Sequence, residues 1–157
     1  MQESIDTLDI KILSYLVPQG RITWSELAAQ VGVSAPAVAE RVRKLEDRGI
    51  IQGYTVRLDA ERLGHHLTAF IAVTLERPEH RAAFLDQVHA LAAIQECHHV
   101  TGDNDYLLKV RCRHPRHLEQ IISDSLKALP GVVRTRTVIA LSTVKETTAL
   151  PVPPSSS

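Results

Sequence analysis

Through the first third of the chain, apolar positions recur at helical spacing. Leu8, Ile12 and Leu16, with Leu13 and Val17 beside them, predict a helix entered at Asp6 as N-cap and ended before Pro18-Gln19-Gly20. Thr23-x-x-Glu26 is a capping box, and it opens a short second helix from Trp24 to about Val31, which Gly32 stops. Ser34 then caps a third helix from Ala35-Pro36, and Pro36 suits a first turn because its missing N–H would have no helical partner there. Val38, Val42 and Leu45 set the core face of this helix, which leaves Pro36, Glu40, Arg43 and Asp47 opposite. Helix, Gly-containing turn, helix is the helix-turn-helix layout. Ile50 to Arg57, β-prone and turning at Gly53, follows where a small wing belongs.

From Leu67 the periodicity changes. Phe70 to Leu75 reads as a strand, and Phe84, Leu85, Val88, Leu91 and Ala92 give one apolar helical face. Ile94 to Val100 and Tyr106 to Arg113 are strands joined by the polar loop Thr101-Gly102-Asp103-Asn104-Asp105. A further helix spans Leu118 to Leu129, Pro130-Gly131 breaks it, and Val132 to about Val144 is a last strand. The order βαββαβ, with an echo between Ala90–Ile94 and Ala128–Val132, predicts a ferredoxin-like sandwich. The expected fold is therefore α+β. A winged helix-turn-helix (1–58) and a linker (59–66) lead into a ferredoxin-like domain (67–148), and a disordered Pro/Ser tail (149–157) ends the chain. On the third strand Tyr106, Leu108, Val110 and Cys112 point one way. Leu107 points the other way among Lys109, Arg111 and Arg113, a mixed face that predicts a subunit contact.

Composition adjusts this picture. The 157 residues carry 18 Lys+Arg against 18 Asp+Glu and are 44% hydrophobic, enough for real cores and no basic coat. Charge divides evenly between the two segments, but all eight His lie after residue 58. No run suits a membrane span, the first residues do not read as a secretory signal, and two cysteines make no disulfide framework. A cytoplasmic protein is expected.

Candidate chemistry is sparse. No phosphate loop, nucleophile elbow or zinc-protease motif is present, so no catalytic residue is expected. Cys97-His98-His99 with Cys112, His114 and His117 invites a zinc reading. Strand alternation splits that set, and the hairpin register puts Cys112 nearer Ile94 or Gln95 than Cys97, so no metal or other cofactor is expected. On the third helix the N-terminal outward residues Ser34, Pro36 and Ala37 are small, as close approach to base edges requires, with Glu40 next to them. Arg41, Arg43, Lys44 and Arg57 are the cations for phosphate. Residues 34–57 carry five basic against three acidic side chains, a modest surplus. The loop from Thr101 to Asp105 sets two carboxylates beside backbone amides, which suits a free amino acid: carboxylate to ammonium, N–H to carboxylate.

Several motifs together resemble the Lrp/AsnC (feast/famine) transcriptional regulators. Asp6-Thr-Leu-Asp-Ile-Lys-Ile-Leu13, Ser25-Glu-Leu-Ala28, Val31-Gly-Val-Ser34, Glu40-Arg-Val-Arg-Lys-Leu-Glu46 and Gly49-Ile-Ile-Gln-Gly-Tyr54 resemble the family's DNA-binding domain. Val100-Thr-Gly-Asp103, Asp105-Tyr-Leu-Leu-Lys109 and Leu129-Pro-Gly-Val132 resemble its amino-acid-sensing domain, the likeness running from about residue 4 to 148. The resemblance implies a regulator binding double-stranded DNA, a homodimer that assembles further, often to an octamer, and an amino-acid effector. That effector would sit between dimers near Thr101, Gly102, Asp103, Asn104, Asp105 and Tyr106, bordered by Thr137, Val138 and Ile139. Relatives with an aromatic residue at the positions of Asn104 or Val138 differ here. The rival from another class is an enzyme resembling sirohaem decarboxylases, which share the two-domain plan and hold a tetrapyrrole. A module that assembles without binding DNA is a third reading.

Overall fold

The computed structural model describes residues 5–153. It divides into two compact units, one running to Arg57 and taking in the chain from Lys145 onward, the other Leu58–Val144. Residues 145–148, expected in the second domain, thus group with the first. Of the expected disordered tail, 149–153 form no helix or strand and 154–157 lie outside the described residues.

The first unit holds α1 (Thr7–Leu16), α2 (Trp24–Val31) and α3 (Ala35–Asp47). Each helix is entered through a side-chain cap. Asp6 accepts the Asp9 N–H, Thr23 accepts the Glu26 N–H, and Ser34 accepts the Ala37 N–H. Glu26 returns the favour, taking the Thr23 N–H at 2.9 Å and its hydroxyl at 2.7 Å, and these bonds hold its carboxyl below the usual range. α2 ends at Gly32 in the left-handed conformation, φ +79°, and this sharp exit places Ser34, the N-cap of α3, two residues later. Ile12, Leu16, Leu27, Ala28, Val38, Val42 and Leu45 form the core. The expected wing differs: residues 50–58 form no strand. Among the described residues no second strand pairs with this segment, so its backbone has no ladder to join. It is tethered instead by Tyr54, whose hydroxyl donates to Glu46 Oε1 at 2.8 Å. Burial, with the Glu46 carboxylate, pushes the Tyr54 hydroxyl up to about 12.

The second unit is β1 (Leu67–Leu75), α4 (Arg81–Ala90), β2 (Ile94–His99), β3 (Tyr106–Cys112), α5 (Pro115–Gln120) and β4 (Val132–Ile139). The strands form one antiparallel sheet in the order β2-β3-β1-β4, the ferredoxin-like arrangement. Ala69, Ile71 and Val73 of β1 with Tyr106, Leu108, Val110 and Cys112 of β3 make the buried face, under Phe84, Val88, Leu118, Ile121 and Leu126 of the helical layer. Beyond α5 the helix widens into a π turn over Ile121–Leu126, where the Lys127 N–H bonds the Ile122 carbonyl at 2.8 Å. Ideal α geometry would set Ile121 and Leu126 about 140° apart. The i→i+5 repeat puts both on the core side. β4 is shorter than expected, ending at Ile139 with Leu141 and Val144 fully in solvent. Cys97 pairs with Leu108 and Cys112 with Leu67, so the register separates the two thiols as expected.

One close approach carries the turn into β4. Gly131 has φ +81°, its carbonyl accepts the Glu76 N–H at 2.7 Å, and a Cβ there would lie 2.1 Å from His80 Cδ2. Gly131→Ala therefore combines left-handed strain with a clash against a ring, whereas Gly32→Ala, with open space, meets only the strain. In urea titration Gly32→Ala is expected to cost about 1–2 kcal/mol, and Gly131→Ala clearly more; equal losses would refute the close-packing account.

Candidate DNA interface and effector loop

On α3 the structure brings the predicted reading residues to one surface. Ser34, Pro36, Ala37, Arg43 and Lys44 are exposed and Glu40 is half-buried, on the side away from Val38, Val42 and Leu45. Glu40 accepts from Arg43 at 2.6 Å and lies 3.7 Å from Lys44 Nζ. These pairs are solvent-exposed, weak, and open to exchange for a phosphate. Arg57 is exposed at the end of the unstructured segment.

Arg41 stands apart from the other predicted cations. Its guanidinium donates to Asp6 and, at 3.3 Å, to Asp9, a carboxylate only 4% exposed. Arg41 thus ties α3 to the start of α1, and its charge is answered inside the unit. The Asp9 backbone N–H, and then Arg41, hold the Asp6 carboxyl below its usual range, and Asp6 in turn raises the Arg41 guanidinium. Sequence reading found Asp6 as a cap but not this second task, because the partners lie 35 and 32 residues apart.

In the second unit the effector loop is pinned to the end of β1. The Asp105 N–H donates to the Val73 carbonyl at 3.0 Å, and Asp105 Oδ2 accepts the Leu75 N–H at 2.7 Å. The Val100 N–H closes the loop on the Asp105 carbonyl, and Gly102 supplies a φ of +111°. Thr74 Oγ1 lies 3.4 Å from Asn104 Oδ1, and Arg134 of β4 donates to the Asp103 carbonyl at 3.0 Å. Thr74 and Arg134 were not read from the sequence; the strand order that sets β4 beside β1 is the signal that could have found them. Thr101, Gly102 and Asp103 are exposed, and Asn104 and Asp105 are half-buried. Tyr106, placed in the effector set by the resemblance, is 3% exposed; its ring packs 4.8 Å from Phe84 and 5.1 Å from His99, beneath the loop.

Within one chain Val138 and Ile139 do not join the loop, and Thr137 is the nearest of the three to it. Val138 pairs with Phe70 and Thr137 with Ile71, whereas the loop is anchored at Val73 to Leu75. Along the strand Val138 is three residues from the Val73 anchor, about 10 Å, and Thr137 two, about 7 Å. Val138 also faces the side of the sheet opposite Thr137, and Ile139 pairs with Ala69 still further away. Among the described residues no group of three or more His, Cys, Asp or Glu could hold a metal ion. No described helix is long and apolar enough to cross a membrane.

Comparison with known proteins meets this two-part geometry directly. Residues 5–46 match the AsnC-type helix-turn-helix domain, and residues 68–150 match the Lrp/AsnC ligand binding domain. The chain belongs to the Lrp/AsnC family. As a member of that family it is a DNA-binding transcriptional regulator and not an enzyme. The leucine-responsive regulatory proteins of Klebsiella pneumoniae and Escherichia coli K12 are 41% identical to it over 150 residues, 94% of this chain and 92% of theirs. A transcriptional regulator of Neisseria meningitidis, solved as its L-Met complex, superposes with a TM-score of 0.90 at 32% identity, covering 94% of this chain and 97% of that one. The feast or famine regulatory protein of M. tuberculosis complexed with L-methionine gives 0.87 at 35%, covering 96% and 100%.

The ion pair that joins α1 and α3 in this Lrp/AsnC protein carries a pH signature. Because the folded Asp6 carboxyl is lowered, its stabilising contribution is complete above the unfolded value of about 3.9. It is lost as pH falls through the folded value. Asp6→Asn keeps a competent N-cap, so its melting temperature should fall less between pH 5 and pH 3 than that of the wild type. Identical pH profiles would show that the charge of Asp6 does not support the fold.

Proposed function

We propose that this protein regulates transcription in the cytoplasm as a homodimer, assembling further to an octamer, whose geometry and DNA affinity respond to a free amino acid. The single observation that carries the reading is the effector site's division within one chain. The loop with its two carboxylates lies at the end of β1, while Thr137, Val138 and Ile139 lie elsewhere on the sheet. A ligand touching the loop together with Val138 and Ile139 would need two copies, so binding it would bias how copies assemble. The sheet face bearing Phe70 (37% exposed) and Val138 (57% exposed), with Leu107 alongside, supplies an apolar surface for dimerisation. The L-methionine complexes of the two structural relatives support an amino acid as effector.

On DNA, two copies of α3 would enter successive major grooves of a roughly palindromic site. Ser34, Pro36, Ala37 and Glu40 would lie nearest the bases, with Arg43, Lys44 and Arg57 on phosphates. Arg41, occupied by Asp6 and Asp9, would act chiefly by holding α3 at its angle. In the sensing loop Asp103 and Asp105 would meet the effector ammonium and the loop N–H groups its carboxylate. No cofactor enters this mechanism.

A gel shift on the gene's own upstream DNA, with and without each of the twenty amino acids, tests the reading; no shift under any condition would overturn it. In the same assay Arg43→Ala should weaken binding across sequences and reduce the slope of log K against log salt by about 1 per half-site. An unchanged slope removes Arg43 from the phosphate contacts. Asp105→Asn keeps an oxygen to accept the Leu75 N–H, so it should melt near the wild-type temperature yet lose the response to the effector. Asp105→Ala should lose the response and about 1–3 kcal/mol of stability as well. Full response in Asp105→Asn would mean that Asp105 only pins the loop.

A further inference from the structure

A cleft of about 400 Å³ opens at the end of the sensing domain away from the effector loop, where α4 turns into β2 and β3 runs into α5. Its size lies in the range of small-molecule sites. Ala90, Leu91, Ala93 and Ile121 give it an apolar floor, and His65, Gln95, Arg111, Arg113 and His117 give it a polar rim. There is no Asp or Glu among the lining residues. This is the reverse of the Thr101–Asp105 loop, which offers two carboxylates.

The rim is built from groups whose partners are largely assigned. Arg111 donates to Thr68 Oγ1 at 3.4 Å, and Gln95 Nε2 donates to the Ala92 carbonyl at 2.8 Å. The Arg113 backbone N–H donates to His117 Nδ1 at 3.4 Å, which leaves a neutral His117 ring with its proton on Nε2, a donor. The Arg113 guanidinium is exposed and takes no partner among the described residues. Nδ1 of His65, closed off from solvent in the same wall, is an unsatisfied polar atom. A native protein seldom leaves such an atom without a reason.

We infer that this cleft is a second ligand site, selective for a small monocarboxylate with an aliphatic tail and no amino group. The Arg113 guanidinium and the His117 N–H would hold the carboxylate, and the floor from Leu91 to Ile121 would take the tail. An amino-acid zwitterion would bring an ammonium into a rim of Arg and His with no counter-charge, and that like-charge contact discriminates against it. Inorganic phosphate would satisfy the rim and leave the apolar floor unused. His65 belongs to the segment between the DNA-binding unit and β1, directly after the turn closed by Gly64 at φ +82°. A ligand in the cleft therefore touches the stretch of chain that links sensing to DNA binding.

Isothermal titration calorimetry of the full-length protein tests this with three probes: 4-methylpentanoate, leucine (which differs from it only by the ammonium group), and inorganic phosphate. Two variants at exposed lining positions, Arg113→Gln and Ala92→Leu, localise the binding, with circular dichroism to show that each remains folded. The expected result is binding of 4-methylpentanoate that Arg113→Gln weakens about 10-fold or more, by loss of a charge-assisted bond, and that Ala92→Leu abolishes by filling the cleft. Three outcomes would each overturn the inference. They are no heat with 4-methylpentanoate, binding untouched by both folded variants, and leucine or phosphate binding as tightly with the same sensitivity to Arg113→Gln.

Discussion

A four-stranded sheet with helices on only one side cannot satisfy both its faces. In the sensing domain β1 alternates Ala69, Ile71 and Val73, all buried against the helices, with Phe70 and Ala72 on the other face. Phe70, Leu107 and Val138 share that outer face, opposite the helices of their own unit, and Phe70 and Val138 are exposed on it. Removing apolar surface from water is worth about 25 cal/mol per Å², so the same alternation that makes one dry core leaves a standing drive to cover the other face. Lys109 and Glu96, bonded at 2.9 Å, and Arg136 rim this apolar centre with charge. Such an arrangement favours a specific contact over indiscriminate sticking.

The effector loop follows from the same strand. Because β1 lies inside the sheet, its last residues are flanked by the loop after β2 and by the start of β4. The loop borrows them as a foundation: Val73 and Leu75 anchor Asp105, and Thr74 and Arg134 hold Asn104 and Asp103. A loop of five polar residues would ordinarily lose much of its binding energy to ordering. Here hydrogen bonds to β1 and β4 already fix the loop, and Asp105 spends one carboxylate oxygen on that order. On the proposed function, positioning and recognition would rest on one side chain, and only a variant that keeps the acceptor and removes the charge can separate them.

Most of the architecture was legible locally. Thr23-x-x-Glu26, the Gly32 stop, the Ser34 cap and the period of Val38, Val42 and Leu45 each act within one or two helical turns, and each stands where the pattern predicts. The alternation in β3 was equally readable, since period two needs no knowledge of the partner strand. What escaped depends on residues far apart in sequence. Arg41 reads as a phosphate-binding cation until α1 is packed beside α3, and Asp105 reads as a carboxylate for the effector alone until β1 is laid beside β3 and it is seen to pin the loop. The wing escaped for a related reason: β-propensity in residues 50–57 describes a segment able to pair, not one supplied with a partner. The π turn reflects a conflict between a five-residue spacing and a core that needs both ends, which helical periodicity alone does not register.

The charge balance gains meaning from this correction. Residues 34–57 show five basic and three acidic side chains, yet Arg41 is balanced by Asp6 and Asp9, and Glu40 shares Arg43 and Lys44. A single reading head therefore brings little net charge to a polyanion, and phosphate contacts supply most non-specific affinity. Linking heads raises affinity without any new contact, by about 10²–10⁴ for suitable geometry. A head that held DNA tightly alone would stay bound whatever its assembly did. A weak head would make occupancy depend on how many heads reach the same DNA at once, a number that the proposed assembly would set. In the assembly proposed above, near-neutrality at α3 would be a condition for control through the sensing domain, because it would leave the controlling step to the contacts between copies.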